Sequence, residues 1–287
     1  MASWMESNHS GKTGIRSWGI TRRALAIRNY FHALFKINMP GLGQLVGGFR
    51  NHRQFRKDLR AYRRLQAAST DVRIQKFPVL REEISPYLRD MEMGAGAVGG
   101  DYFYQDIWAA GKIHERLPDG HMDIGSRIDG FIAHLLVFME NVTVMDVRPI
   151  KESVRGLRFV EADCTTLEML ENGSVNSLSS LHAAEHFGLG RYGDPVNPAA
   201  CFTFIDNLAR VLKPGGRLYF SVPIGRERVV FNGKRVFDPH TIIESFPSLE
   251  LVGFSGYSAP QGYHENVQLK DWKKYDLKCG FFEFGKA

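Results

Sequence analysis

From Leu117 to its end the chain repeats one pattern, a short apolar run, a turn and then an amphipathic stretch. The runs are HMDIG followed by FIAHLLVFM, then VTVMDV, LRFVEAD, VNSLSSL, and AACFTFIDNLARVL followed by RLYFSVP. Strands that alternate with helices predict a mostly parallel sheet covered on both faces, an α/β class. The closing runs LELVGFSGYS and CGFFEFGK have no helical pattern between them, which predicts an antiparallel edge. Asn232-Gly233, between Val229 and Phe246, is a turn signal.

The first part of the chain is different. Residues 1–90 hold 17 Lys/Arg against 6 Asp/Glu, while residues 91–287 hold 20 against 25. Thr21 can cap a helix through Leu25, Ile27, Tyr30, Phe31, Leu34 and Phe35, ended by Met39-Pro40-Gly41. A second helix over Phe49 to Gln66 sets Phe55, Leu59, Tyr62 and Leu65 on one face and arginines elsewhere. The small, flexible stretch MGAGAVGG separates the two regions, so residues 1–95 are expected as a basic helical region and 96–287 as the α/β domain.

No run reaches the roughly 18 apolar residues of a membrane span, and the N-terminus is too polar for a signal peptide, so the expectation is a cytoplasmic protein. Cys164, Cys201 and Cys279 are few and far apart, which suggests neither a disulfide framework nor a paired-thiol metal site. The basic front most simply covers the catalytic domain. Peripheral contact with an anionic membrane through residues 1–70 ranks second and nucleic acid third.

In open α/β sheets ligands bind beyond the carboxyl ends of the strands, so the residues just after each apolar run are the informative ones. Asp123-Ile124-Gly125-Ser126 follows the first strand, and Gly125 lets the backbone turn tightly before a helix N-terminus. Asp146 ends the second strand, 23 positions after Asp123, where a carboxylate suits two ribose hydroxyls. Asp163 ends the third, where it can accept from an exocyclic adenine amine. One Asp after a strand is an ordinary turn residue; three in order are much more specific.

The segments HMDIGS, VMDVRP, VEADCT, SLSSLHAAEH and RVLKPGGRLYFSVP resemble the successive cofactor-binding segments of class I S-adenosylmethionine-dependent methyltransferases. From Tyr102 to Phe246, DYFYQDIWAAGKI, HMDIGSRIDGF, SSLHAAEHFGLGRYGDP and SVPIGRERVVFNGKRVF look like a methyltransferase-like domain of unknown function. That family occurs near bacterial polysaccharide-synthesis genes and also in nematodes. The resemblance implies a Rossmann-like fold and S-adenosylmethionine as cofactor. It implies that Asp123, Gly125, Ser126 and Arg127 serve the methionine end, Asp146 the ribose, Asp163 with Cys164 the adenine, and Leu181 with His182 the wall by the sulfonium. Arg127 and Asp129 stand where the second and third glycines of the family's Asp-x-Gly-x-Gly-x-Gly pattern would be.

Methyl transfer needs an aligned acceptor and, for a hydroxyl, a base. After the fourth strand His182, Glu185 and His186 can supply the base, and Arg191, Tyr192 and Asp194 can hold a polar acceptor. Past the fifth strand, Arg226, Arg228, Asn232, Lys234, Arg235 and His240 form a polar stretch suited to an acidic or phosphorylated sugar; Asn232 and Arg235 are its acceptor-binding candidates. Tyr102-Phe103-Tyr104 can cap the cofactor or pack in the core. The leading expectation is O-methylation of a sugar or glycan precursor. A scaffold that has lost catalysis in a glycan-assembly complex is the alternative, which the crowded glycine loop would suit. His182-x-x-Glu185-His186 also reads as an inverted zinc-protease motif, a remote third reading that requires both imidazoles on one helix face.

Overall fold

The computed structural model describes residues 42–81, 84–88, 98, 100–259 and 261–287. The chain divides into two compact units between Ala97 and Val98. In the first, helix α1 spans Leu42–Ala68, longer than the stretch expected from periodicity. Phe55 and Leu59 are half-buried on it, whereas Tyr62 and Leu65 stay exposed. A one-turn helix, α2 (Val72–Gln75), is capped by Asp71, whose carboxylate accepts from the Arg73 amide. The Gln66 side chain holds it against α1 by donating to the Ile74 and Phe77 carbonyls. The helix expected from Thr21 lies outside the described residues. Among the described residues no helix is long and apolar enough to cross a membrane.

The second unit is a sheet of eight strands. It comprises β1 (His121–Ile124), β2 (Val142–Asp146), β3 (Leu157–Glu161), β4 (Val175–Leu181), β5 (Leu212–Pro223), β8 (Glu250–Ser258), β9 (Gly262–His264) and β10 (Cys279–Gly285). Their order is β3-β2-β1-β4-β5-β10-β8-β9. The first five are parallel and the rest antiparallel. The expected antiparallel edge is therefore present, but β10 inserts between β5 and β8 instead of lying outermost. A separate hairpin, β6 (Arg228–Val230) with β7 (Lys234–Val236), turns at Asn232, which takes a positive φ of 59°.

Period-two patterning covers both faces of this sheet. On β5, Leu218, Phe220 and Val222 enter one core with Phe282 and Phe284 of β10, while Tyr219 enters the other with Phe281. Helix α5 (Ala200–Val211) closes the first core: Cys201, Phe204, Ile205 and Leu208 recur at helical spacing and are fully buried. Helix α3 (Asp101–Arg116) closes the second, where Trp108 stacks on Phe281 with centroids 5.4 Å apart. The segment FIAHLLVFM does not form a regular helix. It makes a wide π turn (Ile128–Ile132) and one short turn, α4 (Ala133–Leu135), which still bury Phe131, Ile132 and Leu135. Lys213-Pro214-Gly215-Gly216 is an irregularity within the fifth strand. Val175 pairs with Leu212 and Ser177 with Arg217, so the extra residues bulge out.

Candidate functional site

The chain runs outward through β1, β2 and β3, then crosses back to β4 on the other side of β1. At this reversal the loops after neighbouring strands diverge, and the carboxyl ends open a crevice. A cleft of about 510 Å³ lies there, lined by the ends of β1, β2, β3 and β4 and the loop that follows β4. Its size suits a nucleotide-sized ligand.

Of the three strand-end carboxylates, Asp146 and Asp163 line the cleft and Asp123 does not. The side chain of Asp123 is fully buried beneath it. It accepts from the Ser126 amide at 3.0 Å, the Ser126 hydroxyl at 2.6 Å and the Ser179 hydroxyl. Burial pushes its pKa up from 3.8 to about 6, against hydrogen bonds from both serines that favour the carboxylate. Ser126 is equally internal, and its hydroxyl also accepts the Leu181 amide at 3.0 Å. Asp123 and Ser126, expected to serve the methionine end of the cofactor, thus lie beneath the cleft and outside its lining. Together they stitch the β1 loop to β4 and hold Gly125 at the surface.

Gly125 has φ 76°, and a Cβ there would lie 2.9 Å from that of Ala183, so only glycine fits the turn. Arg127 does not crowd the loop. Its guanidinium pairs with Asp129 at 2.6 Å with both side chains more than half exposed, at the rim 5.6 Å from the Tyr102 ring centroid. The glycine that packing needs is Gly130, where a Cβ would collide with the carboxylate of Asp106 on α3.

Asp146 is bound by its neighbour Arg148: the backbone amide donates at 2.8 Å and the guanidinium at 2.9 and 2.7 Å. Arg148 also lies 4.7 Å from the Tyr192 ring centroid, so it spans the cleft from β2 to the loop after β4. Asp163 is exposed and accepts from the amide and hydroxyl of Thr165. Cys164 and Leu181 form apolar wall, and burial pushes the Cys164 thiol to about 12, so it stays protonated.

Beyond β4 the chain makes a sharp corner, with His182 at φ 52°, and one tight turn over Ala184–His186. His182 Nδ1 is 2.8 Å from Glu185 Oε1, and its ring stacks on Tyr102 with centroids 4.9 Å apart. Burial opposes its charge, but the contacts with Cys279 and Glu185 outweigh that and hold its pKa well above the ordinary value. His186 is different: burial lowers its pKa despite Glu185 nearby. Its Nδ1 is 2.7 Å from the Gly233 carbonyl, which requires that nitrogen to carry the proton and leaves Nε2 as the basic atom. Glu185 is 1% exposed and does not line the cleft. The zinc-protease arrangement is absent here, because a corner and a three-residue turn replace the helix that would set both imidazoles on one face.

Arg191, Tyr192 and Asp194 all line the cleft. Arg191 donates to the Gly233 carbonyl at 3.0 Å and sits 5.2 Å from the Tyr192 centroid. Asp194 accepts from the amides of Gly188, Gly190 and Tyr192, so it shapes the loop as well as lining it. Asn232 and Arg235 lie outside the lining. Asn232 is the hairpin turn, and the buried Arg235 guanidinium donates to the Phe187 and Pro198 carbonyls, tying the hairpin to the loop. Of the aromatic trio Tyr102 alone reaches the cleft, while Tyr104 stacks on Tyr257 and Tyr263. Arg148, Thr165 and Phe187 are lining residues that sequence patterns did not single out. Their positions two residues after Asp146 and Asp163, and one after His186, were the available signal.

No curated protein matches the sequence. Residues 153–277 match the model of the family described as "Caenorhabditis protein of unknown function, DUF268". Among solved structures, the chain is similar to the 1,6-didemethyltoxoflavin-N1-methyltransferase of Burkholderia thailandensis at 16% identity and TM-score 0.47, over 64% of this chain and 79% of that one. It is similar to the N-methyltransferase NodS of Bradyrhizobium japonicum WM9 in complex with S-adenosyl-L-homocysteine, at 16% identity and TM-score 0.43, over 79% and 97%. A third is an S-adenosylmethionine-dependent methyltransferase of Clostridium acetobutylicum ATCC 824, at 10% identity and TM-score 0.46, over 66% and 93%. The chain thus shares similarity over residues 153–277 with a family of unknown function, and its sheet is mostly parallel with an antiparallel edge.

Proposed function

We propose that the cleft binds S-adenosylmethionine and that the protein transfers its methyl group to an oxygen of a sugar or glycan precursor. The observation that carries this reading is the pair of carboxylates, Asp146 and Asp163, on successive strand ends of one cleft that Gly125 opens to close backbone approach. That donor set fits the cofactor. Asp146 has lone pairs for ribose hydroxyls beside those Arg148 uses, Asp163 can accept from the adenine amine, and Cys164 and Leu181 supply apolar wall. The bound cofactor contributes an electrophilic methyl on a sulfonium.

The chain's own residues have the remaining tasks. His186, neutral because burial lowers its pKa, offers Nε2 as the base for an acceptor hydroxyl. His182, held protonated, is a donor and not a base. Arg148 and Arg191 flank Tyr192 at the cleft, and Arg226, Arg228 and Lys234 are exposed on and beside the hairpin whose Gly233 carbonyl both His186 and Arg191 engage. Such a cationic surround favours an acceptor that carries phosphate or carboxylate. Arg127, turned to the rim, leaves the loop open, so the crowding that would favour an inactive scaffold is not found.

Calorimetry with S-adenosylmethionine and S-adenosylhomocysteine tests the cofactor. Micromolar binding is expected, and Asp146→Ala should weaken it by about tenfold to a hundredfold, as loss of hydrogen bonds to a charged group requires. No binding of either compound would remove the enzymatic reading. Labelled cofactor with a panel of nucleotide sugars and glycolipids then tests the acceptor.

A further inference from the structure

Three potential metal ligands from distant parts of the chain meet at the wall of the cleft. Asp101 opens α3, His182 follows β4 and Cys279 begins β10; because β10 is antiparallel, its start lies at the same edge as the end of β4. His182 Nε2 is 3.0 Å from Cys279 Sγ and 3.5 Å from Asp101 Oδ2, and all three atoms lie within 4.8 Å of one another. Tetrahedral zinc with ordinary bond lengths sets such ligand atoms about 3.4 to 3.6 Å apart. The imidazole–carboxylate spacing already meets that, and the thiol–imidazole spacing needs to open by about half an ångström.

A second observation points the same way. Glu185 Oε1 takes His182 Nδ1 at 2.8 Å, which directs Nε2 toward the thiol and the Asp101 carboxylate. This is the outer carboxylate–histidine pair that orients a metal-bound imidazole and raises its basicity. Glu185 is 1% exposed and its Oε2 finds no hydrogen-bond partner among the described residues, so a carboxylate is buried there at a cost that orienting a ligand would explain. The Tyr102 ring, stacked on His182, restrains the imidazole plane.

We propose that Asp101, His182 and Cys279 form a binding site for a single zinc ion, with Glu185 as the positioning residue behind His182. A thiolate and an imidazole select a borderline or soft transition metal over magnesium or calcium. Binding displaces the thiol proton and any proton on Nε2 to solvent, so affinity falls as pH falls. Three protein ligands leave a fourth position for water. The site adjoins the cleft, since its ligand His182 and the Tyr102 ring stacked on it both line the cleft.

The full chain, stripped with chelator and reloaded with zinc or cobalt, is desalted and analysed for metal. One equivalent is expected, with a thiolate-to-cobalt charge-transfer band in the cobalt form. Cys279→Ser should abolish the band, Asp101→Asn should weaken metal binding, and Glu185→Gln should lower zinc affinity about tenfold to a hundredfold. Cys201→Ser, whose thiol is buried elsewhere in the core, should keep the band. Failure of folded wild-type protein to retain an ion, or a band that survives Cys279→Ser, would overturn the site. Calorimetry of the metal-free protein with S-adenosylmethionine separates the two readings: cofactor binding without metal retention sinks the zinc site alone, and metal retention without cofactor binding sinks the methyltransferase reading alone.

Discussion

Replacing Asp123 by asparagine probes the structural role that separates it from the other two strand-end carboxylates. A pKa raised from 3.8 to about 6 by burial means that the folded state binds this proton more tightly than the unfolded chain. The group's stabilisation is complete below about pH 3.8 and is lost as pH rises through about 6, a change of about 3 kcal/mol. Asparagine fits the same place. Its oxygen can accept the Ser126 amide, and its amide can donate to the Ser126 and Ser179 hydroxyls, which accept as readily as they donate. The raw pH profile of the wild type does not isolate the effect, because His121 pulls the other way. Burial lowers its pKa from 6.5 to about 3, so its contribution is present above the ordinary value and fades on acidification. His121 shares Ser179 with Asp123 and remains in both proteins. The difference between Asp123→Asn and wild type in urea-unfolding free energy should therefore move in the variant's favour by about 2 to 3 kcal/mol between pH 4 and pH 8. Cofactor affinity at neutral pH should change by less than about tenfold, since the side chain lies under the cleft. A difference flat with pH to within about 0.5 kcal/mol would refute the claim that Asp123 is buried at the cost of its charge.

Gly125→Val combines a positive φ with a collision against Ala183; cofactor binding should be lost, with a stability cost of about 2 to 4 kcal/mol by urea titration. If His186 is the base, kcat/KM measured with an accepted substrate falls only below its lowered pKa, so the acid limb should lie under pH 6.5 and be missing from residual activity of His186→Gln. An acid limb above that value would exclude His186. Trp108→Ala removes the ring between α3 and β10, stacked on Phe281 and edge-on to Tyr219, and should cost about 3 to 5 kcal/mol in unfolding free energy.

The sequence by itself determined the parallel half of the sheet, because alternating apolar runs and helices have few ways to bury both faces. It also marked Gly125, Asp146 and Asp163 at the cleft, since a residue ending a parallel strand lands on the binding edge whatever its neighbours do. What a carboxylate does at that edge was decided by its surroundings. Asp123, Asp146 and Asp163 look alike in sequence, yet Ser126 and Ser179 draw the first inward while Arg148 and Thr165 hold the others at the cleft. The motif His-x-x-Glu-His reads as helical by spacing alone, but strand β4 ends in a left-handed corner that points its two imidazoles to different partners. The strand order around β10, the inward turn of Arg235 and the meeting of Asp101, His182 and Cys279 arise from contacts between segments far apart in the chain. Local periodicity carries no information about such pairings, and only packing of the complete sheet brings them into reach.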